Sequence, residues 1–110
     1  MHPLTRITAA TLDVLEVLLA CAAGEAADGV WGLEIVKRTG RPSGSVYPIL
    51  DRLEQAGWLT SEWEDETARR GARRRLYRLT AQGATEATRT VAERRQASAA
   101  PAGTKPLAAQ

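Results

Sequence analysis

The sequence has one cysteine, one histidine and no phenylalanine among 110 residues. A lone Cys21 forbids an intramolecular disulfide and any zinc site built from clustered cysteines. The single histidine, His2, leaves almost no room for histidine-based catalysis or a histidine-rich metal site. Long apolar runs are missing as well. The longest mostly apolar stretch, Val14 to Ala23, contains Glu16 and is too short to cross a bilayer. No leader of basic region, apolar region and small-residue cleavage site is visible, so a soluble, cytoplasmic chain with no membrane partner is expected. There is no nucleophile–base pair, phosphate-cradling glycine loop or metal cluster. Neither an enzyme nor a cofactor is therefore expected.

What is present is ordinary in amount and unusual in placement. Hydrophobic residues at 44% and charged residues at 25% are globular values, and the length suits one domain with one core. The net charge is only +2, from 15 basic and 13 acidic residues. Lysine is scarce: 13 of the bases are Arg, and the two lysines are Lys37 and Lys105. The bases are also uneven along the chain. Residues 1–40 carry net −2, residues 59–66 net −4, and residues 67–79 net +6. Those six are Arg69, Arg70, Arg73, Arg74, Arg75 and Arg78. Guanidinium forks match phosphates and guanine edges in a way lysine heads do not. Taken alone, the run reads equally well as a solvated hairpin neutralised by its own acids at 62–66.

Periodicity assigns the elements. Thr8 caps a helix running to about Ala23, with Leu12, Leu15, Leu18 or Leu19, and Ala22 at helical spacing. A shorter helix covers about Trp31 to Arg38, its stripe drawn through Leu33, Val36 and Ile35. Thr39-Gly40-Arg41-Pro42 is a dense turn signal. A third helix follows from about Ser43, as N-cap, to Ala56, burying Val46, Ile49, Leu50 and Leu53. Pro48 lies near its start, where a missing N–H costs least. From Trp58 to Glu64 the pattern alternates, and Arg73 to Leu79 reads as the returning strand of a hairpin. Thr80 caps a last helix, about Ala81 to Gln96, with a thin stripe of Ala84, Ala87 or Thr88, and Val91. The expected organisation is a flexible arm over 1–7, a DNA-binding domain over 8–80, a C-terminal helix over 81–96 that is a candidate dimer contact, and a disordered tail over 97–110.

Helix, helix, tight turn, helix and hairpin is the order of a winged helix-turn-helix, a mainly α fold with a small β-hairpin (α+β) and here a C-terminal helix. A short helix braces the next one so that its N-terminal end can enter a major groove. Ser43, Ser45 and Tyr47 stand at that end, and all bear hydroxyls. Arg41, just before it, is a candidate phosphate contact. The Arg-rich returning strand can reach the adjacent backbone or a minor groove. The smaller anomalies have plainer readings. Cys21 reads as an inert buried thiol, Trp58 as a packing plug beside Gly57, and Trp63 as half exposed.

The runs GLEIVKR at 32–38, GSVYPILDRLEQAGWL at 44–59 and RRLYRLTAQG at 74–83 resemble the PadR-like transcriptional regulators over roughly residues 10–85. Trp31-Gly32-Leu33 stands where that family often has His-Gly-Tyr. The resemblance implies a dimeric repressor of neighbouring promoters, some relatives being released by small aromatic or drug-like effectors. It implies that Tyr47 meets phosphate through its hydroxyl and that Ser43 and Ser45 lie in or near the groove. It also implies that the wing arginines, with Arg69, Arg70, Arg73 and Arg74 as candidates, hold backbone or minor groove. The expected partners are thus a double-stranded operator, a second copy of the chain and, untraceable from sequence, a small-molecule effector. The alternative is a winged helix that binds protein, as an antirepressor or adaptor, and reads no DNA.

Overall fold

The structure, a computed structural model, describes residues 7–24, 28–64 and 74–104, with side chains of the last helix described to Ala97. The elements run α1 (Ala9–Ala23), β1 (Val30–Trp31), α2 (Gly32–Thr39), α3 (Ser43–Gln55), β2 (Leu59–Trp63), β3 (Arg75–Leu79) and α4 (Ala81–Thr104). Among the described residues, four helices therefore pack with a three-stranded antiparallel sheet of order β1-β3-β2, the winged-helix arrangement.

Local chemistry accounts for most element ends. The Thr8 hydroxyl accepts from the Thr11 N–H at 3.1 Å and caps α1. Gly40 closes α2 at φ 72°, a left-handed conformation that glycine adopts without a Cβ penalty, and its N–H donates to the Val36 carbonyl. Helix α3 starts differently from expectation. Pro42 occupies the N-cap position and makes no side-chain cap bond, and its carbonyl accepts from the Ser45 and Val46 N–H groups. Ser43 is therefore the first helical residue rather than the cap, and it is exposed. Pro48 lies within α3, so the Gly44 carbonyl lacks its usual donor four residues on.

The core joins Val14, Leu15 and Leu18 of α1 to Ile35 of α2 and to Val46, Ile49, Leu50 and Leu53 of α3. Trp58, Leu59, Tyr77 and Ala87 close it from the wing and α4. The stripe expected on α2 is rotated by a position. Gly32 and Ile35 face inward, whereas Leu33 is 55% exposed. On α4 the thin stripe holds: Ala87 is fully buried and Val91 packs against the core. An ion pair from Arg95 to Glu16, at 2.6 Å, ties α4 to α1. The helix continues to Thr104, past the expected end at Gln96.

Strand β1 is not visible as a pattern in the sequence. It exists because Val30 and Trp31 pair with Tyr77 and Leu76 of β3. In β2 and β3, Leu59 pairs with Leu79, Ser61 with Tyr77 and Trp63 with Arg75. That register puts Ser61, Trp63, Arg75 and Tyr77 on one face and Glu62, Leu76 and Arg78 on the other.

Candidate nucleic-acid interface

Helix α3 divides cleanly into two faces. Val46, Ile49, Leu50 and Leu53 are buried. Ser43, Gly44, Ser45, Tyr47, Pro48, Asp51, Arg52 and Gln55 are exposed. Anchoring one stripe fixes the helix on α1 and α2 and turns the other stripe outward. At its N-terminal end the outward stripe presents two serine hydroxyls, a phenol and a glycine, with no acid before Asp51.

Tyr47 is held against a neighbouring helix. Its ring edge and hydroxyl lie over Gly32, the first residue of α2, next to the Tyr77 ring. Tyr47 nevertheless keeps 39% of its surface exposed. Burial pushes the Tyr77 phenol above its ordinary value, with Arg75 opposing, so Tyr77 stays neutral at physiological pH.

Arg41 precedes α3 and points across to α1, where its Nε donates to Asp13 Oδ2 at 2.7 Å. Both groups are about one-third exposed, so the pair is modest in energy and open to exchange with an outside anion. Arg52 stands exposed further along α3.

The described wing arginines all have protein partners. Arg74 donates to Glu64 Oε1 at 3.1 Å, and its guanidinium lies 4.4 Å from the centre of the Trp31 ring. Arg75 donates to the Ser61 hydroxyl at 2.9 Å and lies 3.5 Å from Glu54 Oε1. It also stacks on Trp63 at 4.9 Å. Arg78 donates to the Asp28 carbonyl at 2.8 Å and pairs loosely with Glu62 at 3.7 Å. Glu62 and Glu64 thus neutralise the root of the wing. Arg69, Arg70 and Arg73 lie outside the described residues.

Trp58 is buried and Trp63 is 50% exposed, each as its position in the pattern suggests. Cys21 is buried and accepts a long contact from Arg38 Nη1 at 3.5 Å. Arg38 also bonds Glu34 and holds that carboxyl below its ordinary value. Two residues bearing on the site escape a sequence reading. Asp13 engages Arg41 from 28 positions away, and no local signal marks that. Gly32 is visible as a glycine at a helix start, but its role appears only once Tyr47 is seen above it.

A paired α2 and α3 across a tight turn, with an exposed α3 entry and an antiparallel ribbon alongside, is the framework of a winged-helix transcription regulator. The pattern of the Transcriptional regulator PadR-like family matches residues 22–89, more than half of the chain, and the chain belongs to that family. No curated protein matches it in sequence. Among solved structures it is similar to a PadR family transcription regulator from Clostridium difficile. That match has a TM-score of 0.66 at 21% identity, covering 86% of this chain and 95% of the other. It is also similar to the PcaV transcriptional regulator of Streptomyces coelicolor, with a TM-score of 0.62 at 26% identity. That alignment covers 86% of this chain and 62% of PcaV. A third similar structure is BpsR of Bordetella bronchiseptica, whose DNA binding is regulated by 6-hydroxynicotinic acid. There the TM-score is 0.64 at 21% identity, over 94% and 67% of the two chains.

Proposed function

We propose that the chain is a cytoplasmic, bacterial repressor that binds a roughly palindromic operator as a homodimer, with α3 in the major groove. The observation that carries this reading is the exposed, acid-free entry of α3, with Ser43, Gly44, Ser45 and Tyr47 on a rigidly anchored helix. Ser43 and Ser45 reach base edges or phosphates, and the Tyr47 hydroxyl donates to a phosphate. Arg41 leaves Asp13 for the DNA backbone. Arg69, Arg70 and Arg73 supply the wing's phosphate contacts, and Arg74 acts beside them by fixing the wing to Trp31. Dimerisation follows from reach, because one helix reads only a few base pairs and two placed ~34 Å apart read a useful site. Among the described residues the exposed large apolar side chains are Leu33, Tyr47 and Trp63, and α4 carries none of them. The α4 and α1 contact between protomers is therefore mainly polar, and the dimer is completed on DNA. By analogy with BpsR, a small aromatic acid releases the repressor. An open cleft of about 580 Å³ bordered by Cys21, Trp31, Glu34 and Arg38 offers it a place.

An anisotropy titration against the DNA upstream of the protein's own gene, with random duplex as competitor at two salt concentrations, tests the proposal. Saturable binding that survives competitor is the expected result. Weak binding to both DNAs that disappears with salt overturns it in favour of a protein adaptor. Within that assay, Ser45→Ala and Tyr47→Phe should weaken operator binding more than random-duplex binding, by up to about tenfold per contact, if these residues fix the register of the helix in the groove. Equal loss on both would reduce them to general phosphate contacts.

Gly44 gives a second check. A Cβ there meets nothing within 4 Å, so internal packing does not require a glycine. Gly44→Ala should leave folding unchanged or raise stability by about 0.5 kcal/mol through helix propensity. It should weaken operator binding if DNA lies against that turn. A urea melt alongside the titration reads both effects, and unchanged affinity would put the DNA elsewhere.

A further inference from the structure

Residue 32 has an unusual requirement. Gly32 is buried at the start of α2 in ordinary helical conformation, so it is not held there by a positive φ. The constraint is a neighbour. A Cβ built on Gly32 would lie 2.8 Å from Tyr47 Cε1, 3.1 Å from the Tyr47 hydroxyl oxygen and 3.2 Å from Tyr77 Cε1. Real Cβ contacts essentially never fall below 3.0 Å, so one group must move. Tyr77 is buried, 6% exposed, and paired in the sheet, so it resists. Tyr47 is 39% exposed and its ring is free to turn toward solvent, so it is the group that yields.

We propose that Gly32 is a positioning residue for DNA binding: its missing side chain is the seat of the Tyr47 ring, and so fixes where the Tyr47 hydroxyl is presented. The inference rests on the reading of Tyr47 as a DNA contact given above. It adds that α2 takes part in recognition through a shape, with no contact of its own needed. The seat couples the two helices of the motif, because Tyr47 belongs to α3 and Gly32 to α2. A side chain at position 32 would leave the fold standing and misplace the phenol. Ile35, one turn on in α2, is fully buried and keeps that helix in place.

Two readouts test this independently. The sequence has two tyrosines, Tyr47 and Tyr77, so tyrosine-selective ¹³C labelling yields two resolvable ring signals without DNA. Gly32→Ala should shift the Tyr47 ring signals, remove the Tyr47 ring contact to residue 32 and leave the urea midpoint nearly unchanged. On the upstream DNA fragment at fixed salt, Gly32→Ala should lower affinity roughly tenfold, the scale of one charge-assisted hydrogen bond. In a Tyr47→Ala background the same change should have no further effect, because the group it displaces is gone. An unmoved Tyr47 ring overturns the proposal. So does an affinity loss that persists in the Tyr47→Ala background. If Tyr47→Ala binds like the unaltered protein, the reading of Tyr47 as a contact fails and the functional part of the proposal falls with it. The labelled spectra show in that case whether the seat itself was misread.

Discussion

Replacing Gly83 with alanine is expected to remove roughly 3 kcal/mol or more of folding stability, a large share of the margin of a small domain. Gly83 is buried in the first turn of α4, where the helix meets the backbone of the corner before β2. A Cβ there would lie 2.0 Å from the Trp58 carbonyl oxygen, 2.6 Å from its carbon and 2.7 Å from its Cα. All three atoms are backbone, so no rotamer change relieves the overlap. Nor can the corner shift easily. The Trp58 N–H donates to the Leu53 carbonyl at 2.9 Å, and its carbonyl accepts from the Thr80 N–H at 3.0 Å. The Thr80 hydroxyl donates to the Gly57 carbonyl at 2.8 Å and accepts from the Gly83 N–H at 2.8 Å. Alanine's better helix propensity, about 1 kcal/mol, cannot offset a collision with a backbone held at both ends. The measurement is a urea or thermal melt of the variant. A loss below about 1 kcal/mol would mean that α4 does not approach the corner so closely.

The same corner shows how much of the fold can be read without coordinates. The cap at Thr80 and the plug at Trp58 are both legible, because Thr before a helical pattern and a Trp after a glycine stop have local meaning. The fit of Gly83 onto Trp58 is not legible, because it depends on two segments that meet only in the folded chain. The division of α3 follows the apolar spacing of Val46, Ile49, Leu50 and Leu53, so its outward stripe is legible too. On α2 the spacing misleads. With only Gly32 to Thr39 in the helix, a stripe through Leu33 and one through Ile35 fit almost equally well, and tertiary packing selects Ile35. Strand β1 has no period to detect in two residues and forms because β3 offers a free edge. The α3 cap differs for a related reason. Ser43 has the residue type of an N-cap, but the Pro42 carbonyl takes the first turn's N–H groups and makes Ser43 the first helical residue. Among the candidate contacts, Ser43, Ser45 and Tyr47 lie together at the α3 entry. Arg41 and Arg74 have carboxylate partners that charge counting hints at without pairing them.

That pairing sorts the wing arginines by expected effect, and the largest change in binding should come from Arg69, Arg70 and Arg73. Replacing Arg69, Arg70 and Arg73 together with alanine should lower the slope of log affinity against log salt by roughly three units per protomer. Near ~0.15 M salt that amounts to a loss on the order of a hundredfold per protomer, nearly equal on operator and random DNA. Phosphate neutralisation carries no sequence information, so discrimination between the two DNAs should survive. Arg74 should behave differently. Its guanidinium bonds Glu64, whose side chain is only 6% exposed, and stacks on Trp31. Arg74→Ala should cost about 1–2 kcal/mol of stability while moving the salt slope by less than about one unit. An Arg74→Ala slope change as large as that of Arg69, Arg70 or Arg73 replaced singly would mean that Arg74 abandons Glu64 for phosphate on binding. An unchanged slope in the triple variant would remove the wing from the DNA contact altogether. In that event the α3 entry and Arg41 would have to account for affinity, and one guanidinium beside three neutral hydroxyls neutralises too few phosphates to hold an operator at physiological salt.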